Sequence, residues 1–407
     1  MSRAPFESKI QGIVFTGEPP IILILGLLFL LGLGADLIGR HSIFPRVTLL
    51  ILVGIAAGPG GFDLLPKELV EGWFPPLTTL ALTLIGFLLG HKLTIAELRA
   101  HGRLVLSIVA AETTAAFVAV GLGLLAIGIE PVAALLLAGI ATATAPVATF
   151  DVVRESGAQG EFPDTLLSVV AVDDAIALLL FSLAMALATA LGSDHSVAGS
   201  LLDGVGEIAG SVLLGAAMGI PMAYLSGRVR PGEPTLAEAM GLVLVCGGLA
   251  AWLNLSPVLS AMVMGSVVAS LAKHHERPFH AIEGIEWPFL VLFFVFAGAS
   301  AHPGALLVVG GLTAVYMLCR CAGTYAGAWF GARMAGAGPM VRKWMGLCLL
   351  PQAGVSLGMA LLATQRFPEF GSFLLPIVLA STIVFEITTP MITRRALRQA
   401  ARGSSAS

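Results

Sequence analysis

Residues 168–181 read SVVAVDDAIALLLF, an apolar run interrupted by two adjacent carboxylates, Asp173 and Asp174. Whether the surroundings of that run are water, protein or lipid decides the fold. Of the 407 residues, 57% are hydrophobic and only 12% charged, with mean hydropathy +0.93. A soluble domain carries about 25% charged residues, so the sequence predicts lipid as the main solvent. The net charge of -3 is too small to imply a nucleic-acid partner. The 48 glycines suit closely packed membrane helices. Cys246, Cys319, Cys321 and Cys348 lie in apolar runs and read as packing residues, not as a disulfide framework or a metal site. The first twenty residues carry no signal-peptide pattern.

A span needs about 20 apolar residues. Thirteen are expected, near 20–38, 44–60, 74–93, 104–128, 131–153, 163–191, 204–227, 236–253, 257–272, 287–301, 304–332, 344–365 and 371–393. The tenth, WPFLVLFFVFAGASA, is short and reads as a buried helix with a break. With this count, most Lys and Arg fall on one side, and only Arg3, Lys9, Lys67 and Arg366 on the other. The positive-inside rule then predicts an outside N-terminus and a cytoplasmic C-terminus. The expected fold is an all-α, polytopic cell-membrane protein.

Two of these spans are interrupted. The fifth, PVAALLLAGIATATAPVATFDVV, contains Pro146 after a stretch of small residues. The twelfth, WMGLCLLPQAGVSLGMALLA, contains Pro351 and Gly354. Proline inside a helix removes a donor and clashes with the preceding turn. Either break alone reads as a kink. An offset of seven spans makes the two helices cross in opposite directions, the pattern of an inverted-repeat transporter with two discontinuous helices. Residues 1–19 then form an external segment, 20–191 the first six-helix repeat, 204–227 a linker helix, 236–393 the second repeat and 394–407 a short cytoplasmic tail.

Helical rise places Pro146 and Pro351 about 12 Å, Asp174 about 16 Å and Arg320 about 20 Å from the cytoplasmic ends of their spans. All lie near the middle of a hydrocarbon core about 30 Å thick. Unwound segments there expose carbonyls, together with the hydroxyls of Thr142, Thr144 and Thr149, that could replace a cation's water. Each buried charge costs roughly 2.5–3.5 kcal/mol on insertion scales. Asp173 and Asp174 lie about 100° apart round their helix, so one is free to face a protein partner and the other a cavity. Arg320 should bridge a carboxylate. A structural ion pair would account for one aspartate but not for the second.

ATATAPVATFDVVRESGAQGEFPDTLLSVVAVDDAIALLLF resembles the core of the monovalent cation:proton antiporter-2 family. FPRVTLLILVGIAAGP, IGFLLGHKLTIAELRAHGR and VLASTIVFEITTP resemble its second, third and last spans. The resemblance implies that Asp173 and Asp174 bind the ion, that Arg320 is the facing base, that Thr142 and Thr144 belong to the unwound crossover, and that the protein is a homodimer. Two departures stand out. Some relatives carry Lys at the position of Arg320, and arginine does not release its proton as lysine can. Some carry a charge in the second crossover, where this chain has Gln352.

The expected activity is exchange of Na⁺ or K⁺ for H⁺ by alternating access. Asp174 would hold proton and cation in turn, and Asp173 would pair with Arg320. No cofactor is expected; the partners are lipid, a monovalent cation and the proton. Glu112 and Glu386 are secondary candidates, either lining a cytoplasmic funnel or satisfied structurally by Thr113, Thr114, Thr388 and Thr389, with the structural reading preferred. A sodium-coupled symporter of an organic anion, or a channel, would use the same fold. An intramembrane protease is disfavoured, because the aspartates are consecutive on one helix and no HExxH is present.

Overall fold

The computed structural model describes residues 21–41, 46–90, 102–145, 149, 152–153, 156–192, 197–226, 235–272, 276–300, 309–352 and 354–404. Among these residues all regular structure is helical. In chain order the α-helices are α1 (Ile21–His41), α2 (Arg46–Ala57), α3 (Lys67–Gly90), α4 (Gly102–Ala126), α5 (Pro131–Ala141), α6 (Glu161–Gly192) and α7 (Val197–Ser226). They continue with α8 (Thr235–Trp252), α9 (Pro257–Leu271), α10 (Glu276–Ala299), α11 (Gly310–Met334), α12 (Pro339–Cys348), α13 (Gly354–Arg366) and α14 (Gly371–Ser404).

Five of the described helices are long and apolar enough to cross a membrane: Lys67–Gly90, Gly102–Ala126, Glu161–Leu191, Val205–Leu225 and Pro368–Ala401. Arg277–Ile285 and Trp287–Ala299, bent by 43°, form a further bent pair. The short span expected at 287–301 is therefore the second limb of a longer, kinked helix. Pro288 lies inside α10 next to that bend and leaves a turn without its donor. The last helix also runs beyond residue 393, to Ser404. The segment RRALRQAARGS consists mainly of good helix formers, so the helix outlasts its apolar stretch.

Around an apolar core, the burial pattern departs from that of a soluble protein in two ways. Large apolar side chains face outward on α1 (Ile22, Leu30, Leu33) and on α7 (Val205, Leu213, Ile220). Glu112, Asp173, Asp174, Arg320, Gln352 and Glu386 are all buried. Lipid explains both halves of this pattern, since it solvates aliphatic surface and excludes charge.

Helices α2 and α10, α3 and α9, and α4 and α11 pack as pairs. The α4–α11 contact runs along Gly323, Gly327 and Gly331. A Cβ added at Gly327 would lie 2.6 Å from the Glu112 Cα, and one at Gly323 would lie 2.7 Å from the Ala116 Cα. Only glycine lets the two backbones touch here. Ser107 fastens the same seam by donating to the Gly331 carbonyl at 3.0 Å.

Candidate functional site

Helix α5 consists of PVAALLLAGIA and is buried along most of its length. It ends at Ala141, followed by long bonds of 3.3 and 3.4 Å from the Thr142 and Ala143 amides back three residues to the Gly139 and Ile140 carbonyls. Helix α12 ends at Cys348, and its path resumes as α13 only at Gly354. The two unwound segments meet, with the Ala145 amide donating to the Pro351 carbonyl at 2.8 Å. Both paths leave the helix, after Ala141 and after Cys348. Pro351 and Gly354 bracket the second, whereas Pro146 lies outside the described residues.

A helix end leaves carbonyls without partners. At this depth no water replaces them, and two helix C-termini arrive together. Arg320, on α11, answers both. Its Nε donates to the Ala141 carbonyl at 2.9 Å, one terminal nitrogen to Ala143 at 2.9 Å, and the other to Leu350 at 2.6 Å. The Phe385 ring centroid lies 5.0 Å from its Cζ. Among the described residues Arg320 makes no ion pair with a carboxylate, contrary to the expectation from sequence. The partial negative charge of two helix ends faces it, Glu112 and Asp173 lie within electrostatic reach, and its planar fork offers donors to several carbonyls at once.

Asp173 is fully buried on α6 and accepts a hydrogen bond from Thr144 at 2.7 Å through Oδ2. The first break and the acid pair are therefore joined by a hydroxyl, not by the arginine. Asp174 is 1% exposed on the next position. Thr142 is buried and donates to the Gly139 carbonyl at 2.8 Å, so its proton is committed to its own helix. Thr149 is buried with no partner for its hydroxyl.

At the second break the chemistry is neutral. Gln352 is fully buried; its Nε2 donates to the Tyr316 hydroxyl at 3.0 Å and points to the Ile140 carbonyl at 3.4 Å. Its Oε1 lies 3.1 Å from the Ser381 hydroxyl, which is also 2.9 Å from the Val378 carbonyl. Sequence reasoning missed Tyr316 and Ser381. The signal for Tyr316 was its position one turn before Arg320, on the same face of α11.

The threonines expected to satisfy Glu112 and Glu386 do not do so. Thr113 donates to Val109 at 2.7 Å and Thr114 is exposed. Thr388 is exposed and donates to Val384, while the buried Thr389 hydroxyl has no partner. A buried helical threonine returns its proton to a carbonyl one turn back more readily than to a neighbouring side chain. Glu112 instead faces Asp173 across the α4–α6 contact.

Against known proteins, the family model for the transmembrane region of sodium/hydrogen exchangers matches residues 22–395. The chain belongs to the sodium/hydrogen exchanger family. A curated relative, the ammonium/H⁺ antiporter subunit AmhT of Alkalihalophilus pseudofirmus, is 25% identical over 377 residues, covering 89% of this chain and 91% of that one. In fold the exchanger is similar to the sodium proton antiporter MjNhaP1 of Methanocaldococcus jannaschii at pH 8. The TM-score is 0.73 at 17% identity, over 92% of this chain and 98% of that one. An electron-microscopy structure of the same antiporter gives 0.67 at 16% identity, over 94% and 96%. Members of this family are transporters, not enzymes, so the resemblance to a cation:proton antiporter family holds, and with it a multi-pass membrane location.

Proposed function

We propose that this exchanger moves a monovalent cation inward or outward against H⁺, with both ligands competing at Asp173 and Asp174 beside the crossed breaks. The observation that carries this reading is the pair of buried aspartates next to an unwound segment, with Thr144 joining the two. A carboxylate enclosed this deeply needs a positive ligand, and a proton or a bare cation each meets that need. The unwound carbonyls and half-helix ends offer further oxygen and partial charge.

The helix pairing supports thirteen spans in two inverted repeats with α7 as linker. Exchanging the second to sixth spans for the ninth to thirteenth turns the α2–α10 pair into α9–α3 and leaves α4–α11 unchanged. It also carries α4–α5 onto α11–α12, and α5–α6 onto α12–α14. Such repeats allow alternating access by rocking one bundle against the other. The curated relative is named for ammonium, so NH₄⁺ joins Na⁺ and K⁺ as a candidate cation.

The test is transport in proteoliposomes carrying an internal pH dye, titrated with Na⁺, K⁺, Li⁺ and NH₄⁺ under clamped voltage. Cation-driven proton movement is expected in the native protein, with a fall of about a hundredfold or more in Asp174→Asn, the order of a catalytic-group deletion. Proton-coupled cation movement that survives at native rate in Asp174→Asn would sink the assignment. Cation flux without proton movement would sink the antiport itself.

A further inference from the structure

Glu112 has no role in the scheme above, yet it is as fully enclosed by the fold as Asp173. It is 0% exposed, and among the described residues the neutral donor beside it is the Thr324 hydroxyl. The close α4–α11 seam fixes its backbone, since the Gly327 position leaves no room between α11 and the Glu112 Cα. Its side chain turns to α6, where it faces Asp173 within hydrogen-bonding reach. Asp173 has one oxygen occupied by Thr144, and its other oxygen, Oδ1, has no donor.

The Glu112 and Asp173 carboxyls thus meet in an enclosed space, with no cationic donor between them among the described residues. Arg320 makes no ion pair with either acid among the described residues; its three nitrogens each donate to a carbonyl, those of Ala141, Ala143 and Leu350. The buried Thr324 side chain lies beside Glu112 and offers an uncharged oxygen. Two carboxyl groups and a hydroxyl that converge in this way match the oxygen-rich coordination preference of a small hard cation.

We propose that Glu112 is a ligand of the transported cation, closing a two-carboxylate clamp with Asp173 between α4 and α6. This rests on the antiport reading above and adds to it a third helix that the ion touches.

The experiment compares the native protein, Glu112→Gln, Glu112→Asp and Asp174→Asn in the same proteoliposomes. Half-saturation and maximal rate are separated for Na⁺, K⁺, Li⁺ and NH₄⁺, and thermal midpoints are recorded in detergent. Glu112→Gln is expected to raise half-saturation for the preferred cation about tenfold or more, the effect of losing about 1.4 kcal/mol of binding. Its thermal midpoint should be equal to or above the native value, since a buried like-charged contact is removed. Glu112→Asp keeps the charge on a shorter arm and should fall between the two. Native half-saturation in Glu112→Gln would overturn the proposal. Should that variant fail to fold, native half-saturation in Glu112→Asp would overturn it equally. Asp174→Asn separates the two claims: if it abolishes exchange while Glu112→Gln binds cation normally, only the clamp is lost.

Discussion

At the first break, α5 stops at Ala141 and the following chain sets Thr144 against Asp173. At the second, α12 stops at Cys348 and the following chain sets Gln352 among Tyr316, Ser381 and the Ile140 carbonyl. Both breaks end a short helix at the same crossing, and both hand a carbonyl to Arg320. Their side chains differ in kind. The first leads to a charge that a transported ion can neutralise; the second closes on itself as a neutral network. The two breaks therefore carry different chemistry, and ion affinity and structural bracing should separate on mutation.

The largest expected effect comes from the residue common to both breaks. Arg320→Ala leaves three buried carbonyls without donors, at about 1–3 kcal/mol each, a sum comparable to the whole stability of a domain. Detergent-purified protein should unfold far below the native thermal midpoint or fail to accumulate, with Arg320→Lys recovering part of the loss. If Arg320 instead served mainly as counter-ion to Asp173, the double variant Arg320→Ala/Asp173→Asn would regain native stability.

Gly327→Leu drives a side chain into the α4 backbone at Ala111 and Glu112. Overpacking of this sort costs about 1–3 kcal/mol, and a lower thermal midpoint together with weakened cation affinity should follow, because the seam sets the position of Glu112. Gln352→Ala comes next. It strips partners from Tyr316 and Ser381, at about 1–3 kcal/mol, and should slow exchange and lower the midpoint while leaving cation half-saturation close to native. Thr144→Val is the smallest and the mirror image. It removes one hydrogen bond to Asp173, about 0.5–1.5 kcal/mol net, and its cost should appear as a shift in cation half-saturation with stability little changed; Thr144→Ser should behave as native. Equal effects of Gln352→Ala and Thr144→Val on half-saturation would erase the contrast between the breaks.

Much of this arrangement was legible in the sequence. Adjacent aspartates in an apolar run cannot be ignored in a chain that is 12% charged, and Pro351 with Gly354 marks an interruption on physical grounds. The partner of Arg320 was not legible. A buried guanidinium demands acceptors, but the sequence does not say whether a carboxylate or a helix end supplies them. Glu112 could be seen to be buried, yet its neighbour Asp173 lies far along the chain, on a helix whose facing side only packing determines. The spacing of Gly323, Gly327 and Gly331 in GTYAGAWFG was a visible hint that α11 meets another helix closely, and reading it would have drawn attention to α4. The kink in α10 follows from Pro288 next to Trp287, although apolarity alone suggested a short span starting there.

The most direct test of the acidic break as the place where cation and proton compete is a count of protons. Purified protein in weakly buffered detergent is mixed with the preferred cation while a pH dye records release. The native protein should release protons in proportion to cation bound, Gln352→Ala should release the same amount, and Asp174→Asn should release less or none. Release that is unchanged in Asp174→Asn, or lost in Gln352→Ala with cation binding intact, would contradict the account.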